Sequence, residues 1–340
     1  MKPKTSVLLT GANGCLGTRT ALQIASQHPT SYHLLLAAQN PADEFSRKLC
    51  DALDALGNGV TYSLLSLKLG DLAKVREFVA KVVGMLDSME VPPLGAIINC
   101  AARIAYDAEP YTVDGFHPIY QINYLAPWVL TTGLVGRLVE GGRVVNVTSS
   151  SRKMGELEYF DKEGVGRGKG MTAERGSIEG LKPYASAKLL MIGFGVELRR
   201  RLVEVGITAS CPLTPLQSKL NLVQQAEKHT ISILHFDPAI VSGVSRTSSY
   251  VPIPLRLVVL AFHLFTPIMR LFGPALTNNG EVVAEALCNL ICSEEFGGGT
   301  CGTWFLKEEV KGEEVKKDVA RQCWEKTVEI LGGEDLAMGE

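Results

Sequence analysis

Ser6-Val7-Leu8-Leu9-Thr10-Gly11-Ala12-Asn13-Gly14-Cys15-Leu16-Gly17 is the stretch that decides the fold. It opens with a short apolar run, which is typical of a buried parallel strand. Three glycines follow, and a helical pattern then continues through Gln27. A glycine turn between a strand and a helix lets the backbone approach a pyrophosphate, while the helix N-terminus supplies amide donors and positive potential. The stretch therefore predicts a dinucleotide site, with a tight turn that binds no ligand as the alternative.

Strand and helix patterns alternate beyond this turn. Because such alternation builds parallel strands with crossover helices, it predicts an α/β fold with a doubly wound parallel sheet of Rossmann type, flanked by helices. One domain over residues 1–340 is expected, since the chain has no linker and no internal repeat. Further strands are predicted at 33–40, 61–69, 95–102, 144–148, 231–236 (with 206–212 as an alternative register) and 302–306, and a long helix at 116–139.

Charge and cysteine content exclude some functions. The formal net charge is −2, which gives no electrostatic case for a nucleic-acid partner. The eight cysteines include no Cys-x-x-Cys pair and have no His in zinc spacing, so we expect no metal site. Cys288 and Cys292 can share a helix face, and we interpret them as two buried, small apolar residues. A reduced cytoplasmic location without a signal peptide is expected.

Three segments of the second half depart from the alternating pattern. Residues 151–182 are polar and glycine-rich and are predicted to form a substrate loop, and residues 208–229 look inserted. Residues 251–276, inside a predicted substrate-covering region at 245–280, are strongly apolar but contain four prolines. Since a membrane span needs about 20 clean apolar residues, we expect helices that cover a pocket or fill the core, with shallow membrane docking as the alternative.

Ser149, Tyr184 and Lys188 form the candidate catalytic centre. Residues four apart lie on one helical face, so the Lys188 ammonium can lower the pKa of the Tyr184 phenol. Such a phenol can donate or accept a proton near neutral pH. The Ser149 hydroxyl, at the end of the predicted fifth strand, can hydrogen-bond the same substrate carbonyl. The Tyr-x-x-x-Lys spacing alone is common on helix surfaces. It indicates a catalytic site only because the glycine turn precedes it in the sequence.

The end of the second strand bears on cofactor preference. An acidic residue about 20 residues beyond the glycines would bind the ribose hydroxyls of NAD, but Ala38 and Gln39 stand there. Because no carboxylate repels a 2′-phosphate, we expect NADP(H), with NAD(H) left open. Arg19, Arg47 and Lys48 are candidate cations for that phosphate, and ordinary surface charges are the alternative interpretation.

Taken together, these motifs resemble the short-chain dehydrogenase/reductase family over nearly the whole chain, closest to retinol-dehydrogenase-like and 3-ketosteroid-reductase-like members. Asp114-Gly115-Phe116, the 35-residue step from Ser149 to Tyr184 (184 − 149) and Trp324-Glu325 suggest that branch. The motifs that carry the resemblance are the turn 10–17, Asn99-Cys100-Ala101-Ala102, Asn123 in 121–126, Ser149 in 144–149, and Tyr184 with Lys188.

The resemblance implies roles for these residues. Tyr184 would be the general acid in reduction and the general base in oxidation, with Lys188 lowering its pKa and holding the nicotinamide ribose. Ser149 would polarise the substrate carbonyl, and Asn123 would brace a water that relays protons. The cofactor would contact Gly11, Asn13, Gly14, Cys15, Leu16, Gly17, Gln39, Leu69, Asn99, Ala101, Tyr184, Lys188, Pro238, Ala239 and Val241.

We therefore expect an NADP(H)-dependent ketoreductase that interconverts a ketone and a secondary alcohol on a lipophilic substrate, such as a sterol, retinoid or polyketide-like compound. One alternative is a redox-neutral epimerase or dehydratase of the extended type, which Gly14 favours. The other is a catalytically silent, nucleotide-sensing scaffold. Peripheral membrane contact and a homodimer stay open.

Overall fold

A computed structural model describes residues 4–104, 111–157, 182–205, 230–238, 240–242, 277–296, 301–305, 308–310 and 315–332. The strands of this part of the chain are β1 (Thr5–Thr10), β2 (Tyr32–Ala38), β3 (Thr61–Ser66), β4 (Leu94–Asn99), β5 (Leu138–Val147), β6 (Ile231–Asp237), β7 (Ile240–Ser242), β8 (Thr277–Asn279), β9 (Cys301–Phe305) and β10 (Glu308–Val310).

Helices connect most of these strands. They are α1 (Cys15–Gln27), α2 (Glu44–Asp54), α3 (Leu72–Asp87), α4 (Pro118–Tyr120), α5 (Ala126–Leu134), α6 (Lys182–Glu204), α7 (Gly280–Cys292) and α8 (Lys317–Ile330). A π-helical turn, Gln121–Leu125, joins α4 to α5, and a 3₁₀ turn, Ser150–Met154, follows β5. Within the described residues, no helix is both long enough and apolar enough to cross a membrane.

The main sheet has the order β10-β9-β6-β5-β4-β1-β2-β3. Seven of its strands are parallel, and β10 runs antiparallel to β9. The chain moves outwards from β1 to β3 and then returns to β4 on the other side of β1, so the strand order reverses between β1 and β4. A ligand crevice is expected at the carboxyl ends of the strands at such a point. The predicted doubly wound α/β sheet is confirmed.

Two hydrophobic layers cover the sheet, one on each face. Neighbouring residues of a strand point to opposite faces. Leu8 accordingly joins a core built with α3, α5, α6 and α8, whereas Val7 and Leu9 join the core built with α1, α2 and α7. The strands are therefore apolar on both sides, which explains why β1 reads as an uninterrupted apolar run.

Several predicted boundaries need correction. The helix predicted over 116–139 ends earlier, since α5 stops at Leu134 and β5 already begins at Leu138. Leu138 pairs with Leu94 at the start of β4, and this pairing draws residues 138–143 into the sheet. The predicted sixth strand is confirmed as β6, and the last strand lies one residue earlier than predicted, as β9.

The remaining segment predictions fall largely outside the described residues. This applies to 158–181 of the substrate loop, to the insertion at 208–229 with the alternative register at 206–212, and to 251–276. The single domain over residues 1–340 stays a prediction.

Candidate active site

The glycine turn that follows β1 leaves no room for side chains. A Cβ atom on Gly11, whose φ is +64°, would lie 2.8 Å from the Ala101 Cα atom, and one on Gly17 would lie 2.2 Å from the Gly11 carbonyl oxygen. The turn therefore packs directly against the exit of β4 and the first turn of α1. These glycines produce the smooth backbone surface that a pyrophosphate requires.

The N-terminus of α1 opens onto this turn without a side-chain cap. Gly14 precedes the helix, makes no side-chain capping bond, and is followed by a first turn that contains no acidic residue. The first amides of a helix have no intrahelical acceptor, and the helix dipole makes this end positive. The backbone amides of Cys15, Leu16 and Gly17 thus suit an anionic group, and their contact with a cofactor stays a prediction.

Thr10 joins the two central strands and was not identified as a site residue from the sequence. Its Oγ1 donates to the Ile98 carbonyl at 3.2 Å and accepts from the amides of Cys100 at 3.0 Å and Ala101 at 3.1 Å. The hydroxyl therefore holds the exit of β4 against the glycine turn. The sequence signal for this role was the position of Thr10 as the first residue of the glycine motif.

A carboxylate lies at the edge of the turn where the sequence analysis found none. Asn13 Nδ2 donates to Ser46 Oγ at 2.6 Å and lies 3.4 Å from both carboxylate oxygens of Asp43. Asp43 also caps α2 by accepting from the Ser46 amide at 2.7 Å. The expected position for an acidic residue is the end of β2, where Ala38 is buried and Gln39 is exposed. Asp43 lies beyond that point in the β2–α2 loop.

Two of the candidate phosphate cations already have acidic partners. Lys48 forms an ion pair with Glu44 at 2.7 Å, and Arg19 forms one with Glu281 at 3.3 Å. Arg19 also donates to the Cys15 carbonyl at 2.9 Å, which holds it against α1. Arg47 is exposed.

Lys188 is a buried cationic residue of the predicted catalytic group. Only 2% of its surface is exposed, and its Nζ donates to the Val147 carbonyl, the last of β5, at 2.8 Å. Burial lowers the pKa of this ammonium to about 8, although the neighbouring Cys100 acts in the opposite direction. Burial also raises the pKa of the Cys100 thiol to about 12. At neutral pH the lysine is therefore charged, beside a neutral thiol.

Tyr184 and Lys188 lie together on α6, as their spacing predicts. The Lys188 Nζ lies 5.6 Å from the centre of the Tyr184 ring. Tyr184 is half-buried, at the beginning of the helix. The charge of Lys188 therefore lies over the face of the Tyr184 ring.

Ser149 lies two residues beyond β5, at the start of the 3₁₀ turn. Its Oγ accepts from the Ser151 hydroxyl at 3.0 Å and from the Ser151 amide at 3.3 Å. This turn runs beside the start of α6, because the Glu156 amide donates to Ser186 Oγ at 2.9 Å. The strand end thus carries Ser149 into the region of the Tyr184 helix.

Asn123 projects from the π-helical turn and is fully engaged with backbone groups. Its Nδ2 donates at 2.8 Å to the carbonyls of Arg103 and Ile119, and its Oδ1 accepts from the Arg103 amide at 3.0 Å. Asn123 therefore fastens the segment after β4 to this helix. Asn99 Nδ2 donates to Thr131 Oγ1 at 2.9 Å and to Asn146 Oδ1 at 2.8 Å, which links β4 to α5 and β5.

A buried ion pair below Ser149 was missed by the sequence analysis. Arg152 forms it with Asp237, and both side chains are 2% exposed. Arg152 also donates to the Ser149 carbonyl at 3.0 Å, and Ser150 Oγ donates to Asp237 at 2.8 Å. Burial and the Arg152 charge lower the pKa of the nearby His235 to about 3, so this imidazole is neutral. The pair ties the Ser149 turn to the end of β6.

The other predicted cofactor residues lie on different elements, and their contact with a cofactor stays a prediction. The Leu69 carbonyl accepts from Gln121 Nε2 at 3.3 Å in the β3–α3 corner. Pro238 is buried directly after β6. Val241 lies in β7, which pairs in parallel with β8 in a separate two-stranded sheet. Ala239 lies outside the described residues.

Comparison with known proteins agrees with this fold. Residues 5–159 match the family described as short chain dehydrogenase. Retinol dehydrogenase 14 of Mus musculus is 26% identical over 339 residues, which cover 96% of this chain and 86% of that protein. The predicted resemblance to the short-chain dehydrogenase/reductase family is thereby confirmed.

Two solved structures share the fold. An uncharacterised protein from Mycobacterium Paratuberculosis superposes with a TM-score of 0.60 at 19% identity, covering 97% of this chain and 95% of the other. Angucycline C-6 ketoreductase LanV, solved with bound NADP, gives a TM-score of 0.57 at 14% identity, with 88% and 94% covered. At these sequence identities, the similarity shows a shared fold and nothing about function.

Proposed function

We propose that this protein is an NADP(H)-dependent oxidoreductase that interconverts a ketone and a secondary alcohol on a lipophilic substrate. The observation that carries the proposal is the buried Lys188 ammonium, which joins the end of β5 to the Tyr184 helix and lies beside Cys100 at the exit of β4. A charge of this kind is costly to bury, and perturbed groups of this kind cluster at functional sites.

The glycine turn fits a nicotinamide dinucleotide. Gly11 and Gly17 leave a cradle that any Cβ atom would fill, and the uncapped start of α1 supplies amide donors for the pyrophosphate. When bound, the nicotinamide would donate or accept the hydride. Asn13, with its Asp43 and Ser46 partners, would line the adenosine side of the turn.

The side chains of the site would handle the proton and the carbonyl. Tyr184 would give its phenolic proton to the carbonyl oxygen in reduction and take it back in oxidation. Lys188 would keep the phenol's pKa low through its charge, and Ser149 would donate a hydrogen bond to the same oxygen. Asn123 would hold the chain after β4 in place, through its bonds to Arg103.

Two further facts support the substrate class and cofactor. The relative named above is called a retinol dehydrogenase, and retinol is a lipophilic alcohol. The ketoreductase neighbour was solved with bound NADP. Both names favour redox chemistry over epimerisation, and the intact Tyr184, Lys188 and Ser149 favour catalysis over a silent scaffold. Peripheral membrane contact, a cytoplasmic location and a homodimer stay predictions.

Replacing the general acid tests the function directly. Tyr184→Phe should reduce NADPH-dependent turnover of lipophilic ketones such as steroid ketones by roughly 10²–10⁴-fold, the usual contribution of general acid catalysis. NADPH binding, followed by quenching of tryptophan fluorescence, should be retained. Tyr62→Phe is the matched control, because the Tyr62 hydroxyl on β3 donates to Asp54 of α2 at 2.8 Å, away from the site. Unchanged turnover in Tyr184→Phe would refute the assignment.

Cofactor preference is tested by titrating the protein with NADPH and NADH. We expect tighter NADPH binding, and we expect Gln39→Asp to weaken NADPH binding by placing a carboxylate beside the 2′-phosphate. Tighter binding of NADH to the unaltered protein would show that Asp43 or another residue selects the unphosphorylated ribose.

A further inference from the structure

A second cluster of reactive side chains lies at the other end of the sheet. His28 directly follows α1, and Cys288 and Cys292 lie on α7. Their ligand atoms all lie within 4.8 Å of one another. Cys288 is buried, whereas His28 and Cys292 are half-buried. Since α1 has 13 residues and therefore spans about 20 Å, this cluster is well separated from the glycine turn.

The sulphur geometry suits a tetrahedral metal ion. The two Sγ atoms are 3.9 Å apart, with the Cys288 thiol pointing at the Cys292 sulphur. Zinc–sulphur bonds of about 2.3 Å at tetrahedral angles place two sulphur atoms roughly 3.8 Å apart. Two thiolates and one imidazole are also a common zinc donor set.

A disulfide suits the same pair poorly. Residues four apart on a helix have Cβ atoms about 5–6 Å apart, whereas a disulfide requires about 3.5–4.5 Å. Bonding Cys288 to Cys292 would therefore require the helix to distort, while a metal ion bridges them as they stand.

The surrounding backbone also favours a cation. His28 caps the carboxyl end of α1, and Cys292 is the last residue of α7, so the negative ends of two helix dipoles meet at the cluster. Arg143 is already occupied, since it donates to the Leu290 carbonyl at 2.9 Å and to the Ser293 carbonyl at 2.5 Å. A divalent ion with two thiolates is neutral overall and is not repelled by this guanidinium.

We propose that His28, Cys288 and Cys292 form a binding site for a thiophilic divalent cation of the zinc class, with water as the fourth ligand. Each cysteine releases one proton as its sulphur binds the ion, so the affinity should rise with pH. The site would fasten α1 to α7 far from the candidate catalytic group, and its effect would be on stability. Nothing in this proposal depends on the oxidoreductase function.

Zinc binding to the reduced protein tests this proposal without an activity assay. We expect one Zn²⁺ to bind per chain and to raise the thermal unfolding temperature, while Mg²⁺ does neither. Co²⁺ in place of Zn²⁺ should give a near-ultraviolet sulphur-to-cobalt absorption band. Cys292→Ser and His28→Gln, both at half-buried positions, should each weaken Zn²⁺ binding by roughly tenfold or more.

Cys50→Ser is the matched control, because Cys50 is a half-buried free cysteine on α2, outside the cluster. It should bind Zn²⁺ as the unaltered protein does. The proposal is overturned if the unaltered protein shows no saturable Zn²⁺ binding. It is equally overturned if Cys292→Ser and His28→Gln bind as tightly as the Cys50→Ser control.

Discussion

Lys188 is a charged residue whose burial opposes stability. Its pKa is about 8 in the folded chain against 10.5 when unperturbed, so between these pH values the unfolded state binds more protons. The free energy of unfolding therefore rises as pH increases from about 8 towards 10.5, because the cost of the buried charge is removed. This cost is on the order of 3 kcal/mol at neutral pH.

We predict that Lys188→Met loses turnover but gains stability at pH 7. Its advantage over the unaltered protein should shrink when both are unfolded in urea at pH 9.5, since Lys188 is then largely neutral. An advantage of equal size at the two pH values would mean that the buried lysine is not the group that titrates.

For the buried Arg152–Asp237 ion pair, we predict that replacing one residue lowers the free energy of unfolding. Removing one member of a buried ion pair leaves the other charge unpaired, which typically costs about 3–5 kcal/mol. Arg152→Met should lower the free energy of unfolding by about this amount, as measured by urea denaturation. The double variant Arg152→Met/Asp237→Asn should recover part of the loss. Additive losses in the double variant would show that the two residues do not act as a pair.

At the level of elements, the junction between β1 and α1 depends on the absence of side chains. Gly17→Ala would bring a Cβ atom to 2.2 Å from the Gly11 carbonyl oxygen, so the turn or the helix must shift. We predict that this variant loses NADPH binding, as measured by fluorescence titration.

Gly84→Ala is the matched control for that substitution, because Gly84 lies inside α3 with nothing within 4 Å of the added atom. It should bind NADPH normally and gain about 0.5–1 kcal/mol in stability from its higher helix propensity. NADPH binding by Gly17→Ala at the control's affinity would show that the turn tolerates a side chain.

At the level of the whole molecule, α8 completes the core behind the candidate catalytic helix. Trp324 is 3% exposed and packs 4.9 Å from the Trp128 ring and 5.7 Å from the Phe194 ring of α6. Thr327 Oγ1 lies 2.7 Å from the hydroxyl of Tyr124, a residue of the π-helical turn. The C-terminal helix thus supports both α6 and the segment that carries Asn123.

We predict that Trp324→Ala lowers the free energy of unfolding by about 3–5 kcal/mol, because it leaves a large cavity between α5, α6 and α8. Trp324→Phe should retain most of the stability, since the ring contacts are partly kept. Urea denaturation of both variants measures the difference. Equal, small losses would mean that α8 packs only loosely on α6.

The amino-acid sequence by itself determined the features that depend on residues close together in the chain, namely the strands, the helices, the glycine turn and the Tyr184–Lys188 pair. Apolar runs and helical periodicity predict the parallel sheet, because strands covered on both faces have to be apolar throughout. The glycine turn could be predicted because its steric requirement acts within a few residues. Tyr184 and Lys188 could be paired because a four-residue step on a helix brings any two side chains together.

Only the tertiary structure decided the contacts between distant segments. Asp237 reaches Arg152 because β6 lies beside β5, and Asp43 reaches Asn13 because the β2–α2 loop folds over the glycine turn. His28 meets Cys288 and Cys292 because α1 and α7 cover the same face of the sheet. Such pairs leave no periodic signal in the sequence, since their distance is set by strand order and helix packing rather than by spacing along the chain.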